Sequence, residues 1–222
     1  MKILCVADHI DPLVYSAQIK ERFKDVQIVL GAGDLPIEYY SYIVSCLNVS
    51  LLFIFGNHNL SRLKQFQRHD TSPNELIAEE NFRNQSASGA TYLEDRQKKI
   101  KNVLVIGLGG SMRYNDGDHQ FNEFQMYMRI FKLLPRLIWN RIFYGRWLDI
   151  LLTHAPPRGI HDKEDICHTG FKAFLSFMAW FKPKYLVHGH IHLYNLNDVR
   201  KTLYKKTLVI NCYDHFVLEY TP

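Results

Sequence analysis

The sequence predicts an α/β protein built on layered, mixed sheet, and three observations carry that prediction. Short runs rich in Val, Ile, Leu and Phe recur along the chain, each bounded by Gly, Asp, Asn, His or Pro, the pattern of strands buried on both faces. Helical periodicity falls between several of these runs. Nearly every apolar run ends in an Asp, Asn or His. The 222 residues, 47% hydrophobic and 22% charged, are enough for one globular domain with a sizeable core spanning 1–222.

Strands are expected at 2–7, 26–31, 50–55, 102–108, 148–153, 185–188, 207–211 and 215–219, where the apolar runs lie. Helices are expected at 15–23, 36–47, 121–134 and 171–181. The last two strands are separated only by a few residues around Tyr213 and Asp214, so they are expected to pair as a hairpin, which makes the sheet mixed. Two segments break the rhythm. Residues 61–88 are polar, with a turn cluster at Thr71, Ser72, Pro73 and Asn74, and should form a loop with a short helix over one end of the sheet. Residues 112–146 join an acidic turn at 115–118 to an apolar and basic helical stretch broken at Pro135, a helical insertion or cap. Its Met126, Phe131, Leu134, Leu137, Ile138 and Trp139 suit core, a lid or a partner surface.

Composition excludes several classes. The N-terminal MKILCVADHIDP reads as a short strand, so no secretory leader is expected, and no run approaches the roughly 18 apolar residues of a membrane span. A cytoplasmic protein without a membrane partner is therefore expected. Cys5, Cys46, Cys167 and Cys212 lie far apart, three of them in or beside apolar runs, which suits reduced thiols rather than a disulfide framework or a zinc knuckle. The formal charge of +5 suits an anionic partner without indicating nucleic acid.

The chemistry collects where strands end. Asp8 follows the first, Asp34 the second, Asn57 and His58 the third, His154 the fifth, and His190 and His192 the sixth. Ligand sites in open α/β sheets form outside the carboxyl ends of strands, so these groups should converge. Carboxylate, amide and imidazole together are a ligand set for Zn, Mn or Fe class cations, and the lack of thiolate points to a catalytic rather than a structural metal. Each motif also has a plainer reading. Gly33-Asp34 and Gly56-Asn57-His58 suit turns, and the two prolines after His154 simply fix a loop. Gly189-His190-Ile191-His192 places two imidazoles at i and i+2, on one side of an extended segment, which suits chelation better than packing.

Taken in order, Asp8, Gly33-Asp34, Gly56-Asn57-His58, His154 and Gly189-His190-Ile191-His192 resemble the calcineurin-like metallophosphoesterase superfamily across almost the whole chain. The resemblance implies a four-layer α/β/β/α sandwich with the site at one edge of two facing sheets. It implies two divalent cations, Mn, Fe or Zn, one held by Asp8 and His192, the other by Asn57, His154 and His190, with Asp34 bridging and His58 facing the leaving group. The implied reaction is hydrolysis of a phosphate ester by water activated between the cations. Arg113 and Arg158 are weaker candidates for phosphate contact or for plain surface roles.

Two departures matter. The family usually begins Asp-x-His, whereas this chain reads Asp8-His9-Ile10, so one expected ligand of the first metal is missing; Asp11 from the same loop, or His9 turned inward, could replace it. The family's Ser/Thr protein phosphatases place Glu after Gly-Asn-His, where this chain has Asn59. The block THAPPRG at 153–159, followed by Ile160-His161-Asp162, is similar to the small stand-alone phosphodiesterase branch, so a phosphodiester is the favoured substrate. Asp165, Cys167 and His168 follow and could line the pocket. The competing readings are a catalytically degraded scaffold that binds protein partners, for which Ile10 speaks, and a dinucleotide-binding protein, whose fingerprint fails because its third glycine would fall at Met112. No Gly-Lys-Ser or Gly-Lys-Thr is present for a phosphate-binding loop.

Overall fold

A computed structural model describes residues 1–66, 89–195 and 197–221. The expected turn cluster at 71–74, and most of the polar segment around it, lies outside the described residues.

One sheet joins β1 (Lys2–Ala7), β2 (Val26–Gly31), β3 (Ser50–Phe53), β4 (Ala90–Tyr92) and β13 (Asp214–Glu219) in the order β13-β1-β2-β3-β4, with β1 to β4 parallel and β13 antiparallel to β1. The other joins β5 (Arg96–Ile100), β6 (Val103–Leu108), β9 (Ile150–Thr153), β10 (Tyr185–His188), β11 (Lys201–Tyr204) and β12 (Thr207–Asn211) in the order β11-β12-β10-β9-β6-β5. Its inner four strands are parallel, and its two edge strands antiparallel to their neighbours. A two-stranded ribbon pairs β7 (Ser111–Met112) with β8 (Gln120–Phe121).

Three apolar clusters define four layers. Ile3, Cys5, Ile28, Leu30, Leu52, Val105, Leu152, Val187 and Ile210 fill the space between the sheets, and with the two outer clusters they make the inner strands read as apolar runs. Val29, Leu51 and Phe53 turn their backs to this space and meet Ile19 of α1 (Ile19–Arg22) and Tyr39, Tyr40 and Ile43 of α2 (Ile37–Leu47). A short α3 (Leu63–Phe66) adds Leu63 and Phe66 to the same cluster. On the far side, Leu104, Ile106, Leu151 and Val209 meet Met126, Ile130, Leu133 and Leu137 of α4 (Glu123–Tyr144) and Phe174, Phe177 and Phe181 of α5 (Lys172–Phe181). The molecule is an α/β/β/α sandwich of two mixed sheets.

Two expectations are corrected. Strands β12 and β13 are not a hairpin: β12 is interior, between β10 and β11, so the chain leaves at Cys212 and Tyr213 and crosses to the edge of the other sheet beside β1. The hairpin partner of β12 is β11, joined through Lys205, whose φ of 53° sits in a tight turn; the polar run Lys201–Tyr204 hid this edge strand. Pro135 does not end its helix. The ring is on the exposed side, while Met126, Ile130, Leu133 and Leu137 bury a continuous opposite stripe, and that burial outweighs the roughly 3 kcal/mol a mid-helix proline costs. Asn122 starts the helix with a capping box to Gln125, and Gly145 ends it in the left-handed region at φ 69°.

Helix α4 is tied to the inner structure by a buried cation. Arg129 donates from Nε to Asp95 Oδ1 at 2.8 Å, from Nη1 to the Gly109 carbonyl at 2.8 Å, and from Nη2 to Glu94, which also accepts the Gly109 N–H at 2.9 Å. Replacing Arg129 with Leu should strand Glu94 and destabilise the fold by about 3–5 kcal/mol, and adding Glu94→Gln should recover part of the loss. Urea unfolding of the two variants checks both signs; equal stability of the single variant and the native chain would show that the network carries no weight.

Candidate metal centre

The parallel strands β1, β2, β3, β9 and β10 deliver their carboxyl ends to one edge of the sandwich, and the chain turns sharply as it leaves three of them. Asp8, Asp34 and His190 sit at φ 67°, 59° and 68°, in the left-handed region that Asp, Asn and His tolerate better than most side chains. Close approach also dictates glycine here: a Cβ on Gly56 would collide with Asp34 Oδ1 and the His154 ring, and one on Gly189 would come within 2.6 Å of Asp8 Oδ2.

Asp34, His154 and His190 bring their ligand atoms within 4.8 Å of one another. The hydrogen atoms on the two imidazoles are dictated by their outer partners, because a carbonyl oxygen can only accept. His154 Nδ1 donates to the Ala32 carbonyl at 2.8 Å, turning Nε2 inward, and His190 Nε2 donates to the Cys167 carbonyl at 2.8 Å, turning Nδ1 inward. Asn57 donates its amide to the Tyr114 hydroxyl at 3.1 Å, turning Oδ1 inward. His154 Nε2 therefore faces Asn57 Oδ1 at 3.1 Å, His190 Nδ1 at 3.1 Å and Asp34 Oδ2 at 3.3 Å. Four electron-pair donors meet in a buried space, an arrangement that only a proton or a cation can hold together. The set fits a divalent cation of the Zn, Mn or Fe class, with the Ala32 and Cys167 carbonyls and Tyr114 orienting the ligands from behind.

Electrostatics agrees. Burial works to lower His154, but the Asp34 carboxylate overrides it by charge and hydrogen bond and holds the imidazole above its usual range; Asp34, against its own burial, is held well below the carboxylate range by the same pair. His190 is kept low by burial and by the charge of His154. The pair thus favours positive charge among these atoms, which a bound cation would supply.

The remaining expected residues surround this cluster. Asp8 is pushed up to about 7 by burial and accepts the His190 N–H on both oxygens, at 2.9 and 3.0 Å. The His58 N–H donates to Asp34 Oδ1 at 2.8 Å, and the His58 side chain is exposed. His192 bonds through Nδ1 to the Tyr194 hydroxyl at 2.7 Å and lies 4.7 Å from the Tyr213 ring, outside the direct contacts of the cluster. Asp11 is turned elsewhere, one oxygen accepting the Leu13 N–H at 2.7 Å and the other bonded to His215; His9 bonds to Asp214 at 2.8 Å, and Ile10 is 38% exposed. Arg158 pairs with Asp162 at 3.1 Å, Arg113 reaches Gln125 at 3.4 Å, and Asp165 bonds His168 at 2.7 Å. The four cysteines are free.

Sequence reasoning missed Tyr114, His119 and the two backbone carbonyls. His119 Nδ1 donates to the Gly56 carbonyl at 2.6 Å and so supports the turn that carries Asn57. Backbone carbonyls have no sequence signature, and Tyr114 and His119 lie in a polar turn whose closure over the site depends on the β7–β8 ribbon.

The comparisons identify the family and the fold. The family profile described as calcineurin-like phosphoesterase matches residues 1–194, and the chain belongs to that family. Membership makes it a metal-dependent phosphate-ester hydrolase by class. A solved crystal structure superimposes with a TM-score of 0.65 at 13% identity, over 98% of this chain and 94% of the other. The protein TT1561 of Thermus thermophilus superimposes with a TM-score of 0.61 at 10% identity, over 96% of this chain and 89% of the other. At these identities the likeness concerns the fold. No match was found among curated proteins.

Tyr114→Phe keeps the ring but removes the oxygen that accepts the Asn57 amide, and should weaken Mn²⁺ binding by roughly 10–100-fold. Gly56→Ala should abolish it. Calorimetric titration of metal-stripped protein reads both; undiminished affinity in Gly56→Ala would place the cation somewhere other than this cluster.

Proposed function

We propose that this chain hydrolyses a phosphate ester, a phosphodiester in preference to a monoester, with water as the nucleophile and two divalent cations of the Mn, Fe or Zn class. The observation that carries the reading is the convergence of Asp34, Asn57, His154 and His190 with their electron pairs facing inward. In this reading Asn57, His154 and His190 would hold one cation and Asp8 and His192 the other, with Asp34 a ligand available to either. Bound cations would supply the positive charge that acidifies the attacking water and neutralises phosphate oxygens.

The chain's own groups do the rest. The Asp34 carboxylate fixes the backbone of His58, and the Asn59 side chain donates to the Asp34 carbonyl at 2.8 Å, so the imidazole of His58 stands exposed on a loop braced by the metal-binding Asp34. From there His58 donates a proton to the departing ester oxygen. The preference for a diester rests on the 153–159 block. The small loop at residues 112–121 contributes Tyr114 and His119 to the site wall, and the helix that follows belongs to the outer layer. The cytoplasm, where free cysteines persist, is the proposed compartment.

The test is hydrolysis of bis(p-nitrophenyl) phosphate and p-nitrophenyl phosphate by metal-stripped protein resupplied with Mn²⁺. Turnover should depend on the metal and favour the diester. His58→Ala should lower kcat roughly 10²–10⁴-fold while leaving Mn²⁺ affinity intact, and Asp34→Asn should lose both. Folded, Mn²⁺-loaded protein that turns over neither ester would favour the scaffold reading, with Ile10 as the lesion.

A further inference from the structure

The outer helix α4 buries one stripe and leaves a second apolar stripe facing outward. Phe124, Met128, Phe131, Pro135, Ile138 and Ile142 recur at alternating spacings of four and three residues, which keeps them on one face. Phe124 is 72% exposed, Ile142 69% and Trp139 57%. The Trp139 and Phe143 rings lie tilted against each other at 4.0 Å, and Trp180 of α5 stacks on Phe131 at 6.4 Å, so the aromatic surface runs on from one helix to the next. So much exposed apolar surface along 22 residues marks a contact surface rather than ordinary scatter.

Charge decides what it contacts. No Asp or Glu occurs from 124 to 148, while Lys132 and Arg136 flank one side of the stripe and Arg141 the other, all exposed. Glu123 is already engaged, its two oxygens accepting the Lys172 and Ala173 N–H groups at 2.7 and 3.1 Å. At the end of the helix Lys99 lies 4.1 Å over the Tyr144 ring and adds another cation. A second copy of this chain seated on the same face would bring like charges together. A surface that accepts Trp, Phe and Ile to a shallow depth and carries negative charge satisfies both halves of the pattern.

We propose that α4, with Trp180, lies flat on an anionic lipid bilayer and holds the molecule at that surface. No helix among the described residues is long and apolar enough to cross a membrane, and none needs to. The proposal revises the expectation of no membrane partner, which rested on the lack of a spanning segment. Helix α4 begins at Glu123, immediately after the loop that carries Tyr114 and His119, so attachment keeps the candidate site close to the surface.

The measurement is co-sedimentation of the full chain with phosphatidylcholine vesicles with and without phosphatidylglycerol, alongside light scattering of the protein alone. The native chain should be monomeric and sediment with the anionic vesicles, releasing as salt rises. Phe131→Glu/Ile142→Glu should abolish binding. Lys132→Ala/Arg136→Ala should weaken it roughly 25-fold, about fivefold per cation, with circular dichroism unchanged in all variants. Equal binding to both vesicle types, no binding to either, or a dimer that the Phe131→Glu/Ile142→Glu change dissolves would each overturn the proposal. None of these readouts depends on phosphoesterase activity.

Discussion

The structure depends on forcing four electron-pair donors to face each other. His154 Nε2, His190 Nδ1, Asn57 Oδ1 and an Asp34 oxygen repel unless positive charge lies among them, and each is held inward from behind. Two of the constraints are carbonyls, Ala32 and Cys167, and they belong to different parts of the molecule: one follows β2, the other a loop after β9. The imidazoles are thereby locked in opposite tautomers, one offering Nε2 and the other Nδ1, an arrangement suited to ligation from two directions.

The sandwich exists to make those ends meet. His154 leaves a strand of one sheet and bonds to a carbonyl at the end of a strand of the other, and the His190 N–H bonds across the same gap to Asp8. The apolar layer between the sheets sets their separation, so its packing and the cluster's geometry are one problem. A mutation well inside that layer that changed the spacing would be felt first at this edge, where hydrogen bonds of 2.8–3.0 Å join the sheets.

Much of this was legible. The strand runs at 2–7, 26–31, 185–188 and 207–211 coincide with β1, β2, β10 and β12 because burial on both faces leaves an unambiguous apolar run. Edge strands did not show: Arg96–Ile100 and Lys201–Tyr204 face solvent and read as polar chain. The expected hairpin failed because proximity in sequence cannot say which of two sheets a strand joins. The residues of the cluster were readable from their places after strands, and the resemblance implied a role for each. What held them was not, since carbonyls are anonymous and Tyr114 acts from a turn without a pattern. For His9, Ile10 and Asp11, the structure shows two side chains committed to Asp214 and His215 and a third facing outward.

The left-handed backbone at Asp8, Asp34 and His190 has a further implication. Each of these side chains sits where glycine would rest without strain, so at each the chain accepts a small loss of folding stability, on the order of 1 kcal/mol, to keep an ionisable group in place. At Asp34 the bonds to His58 and His154 offset that cost, whereas at Asp8 burial, which pushes the carboxyl up to about 7, adds to it, so selection for thermal robustness alone would act first on Asp8. A laboratory lineage evolved only to survive heat would therefore be expected to keep its sandwich and exchange this one carboxylate.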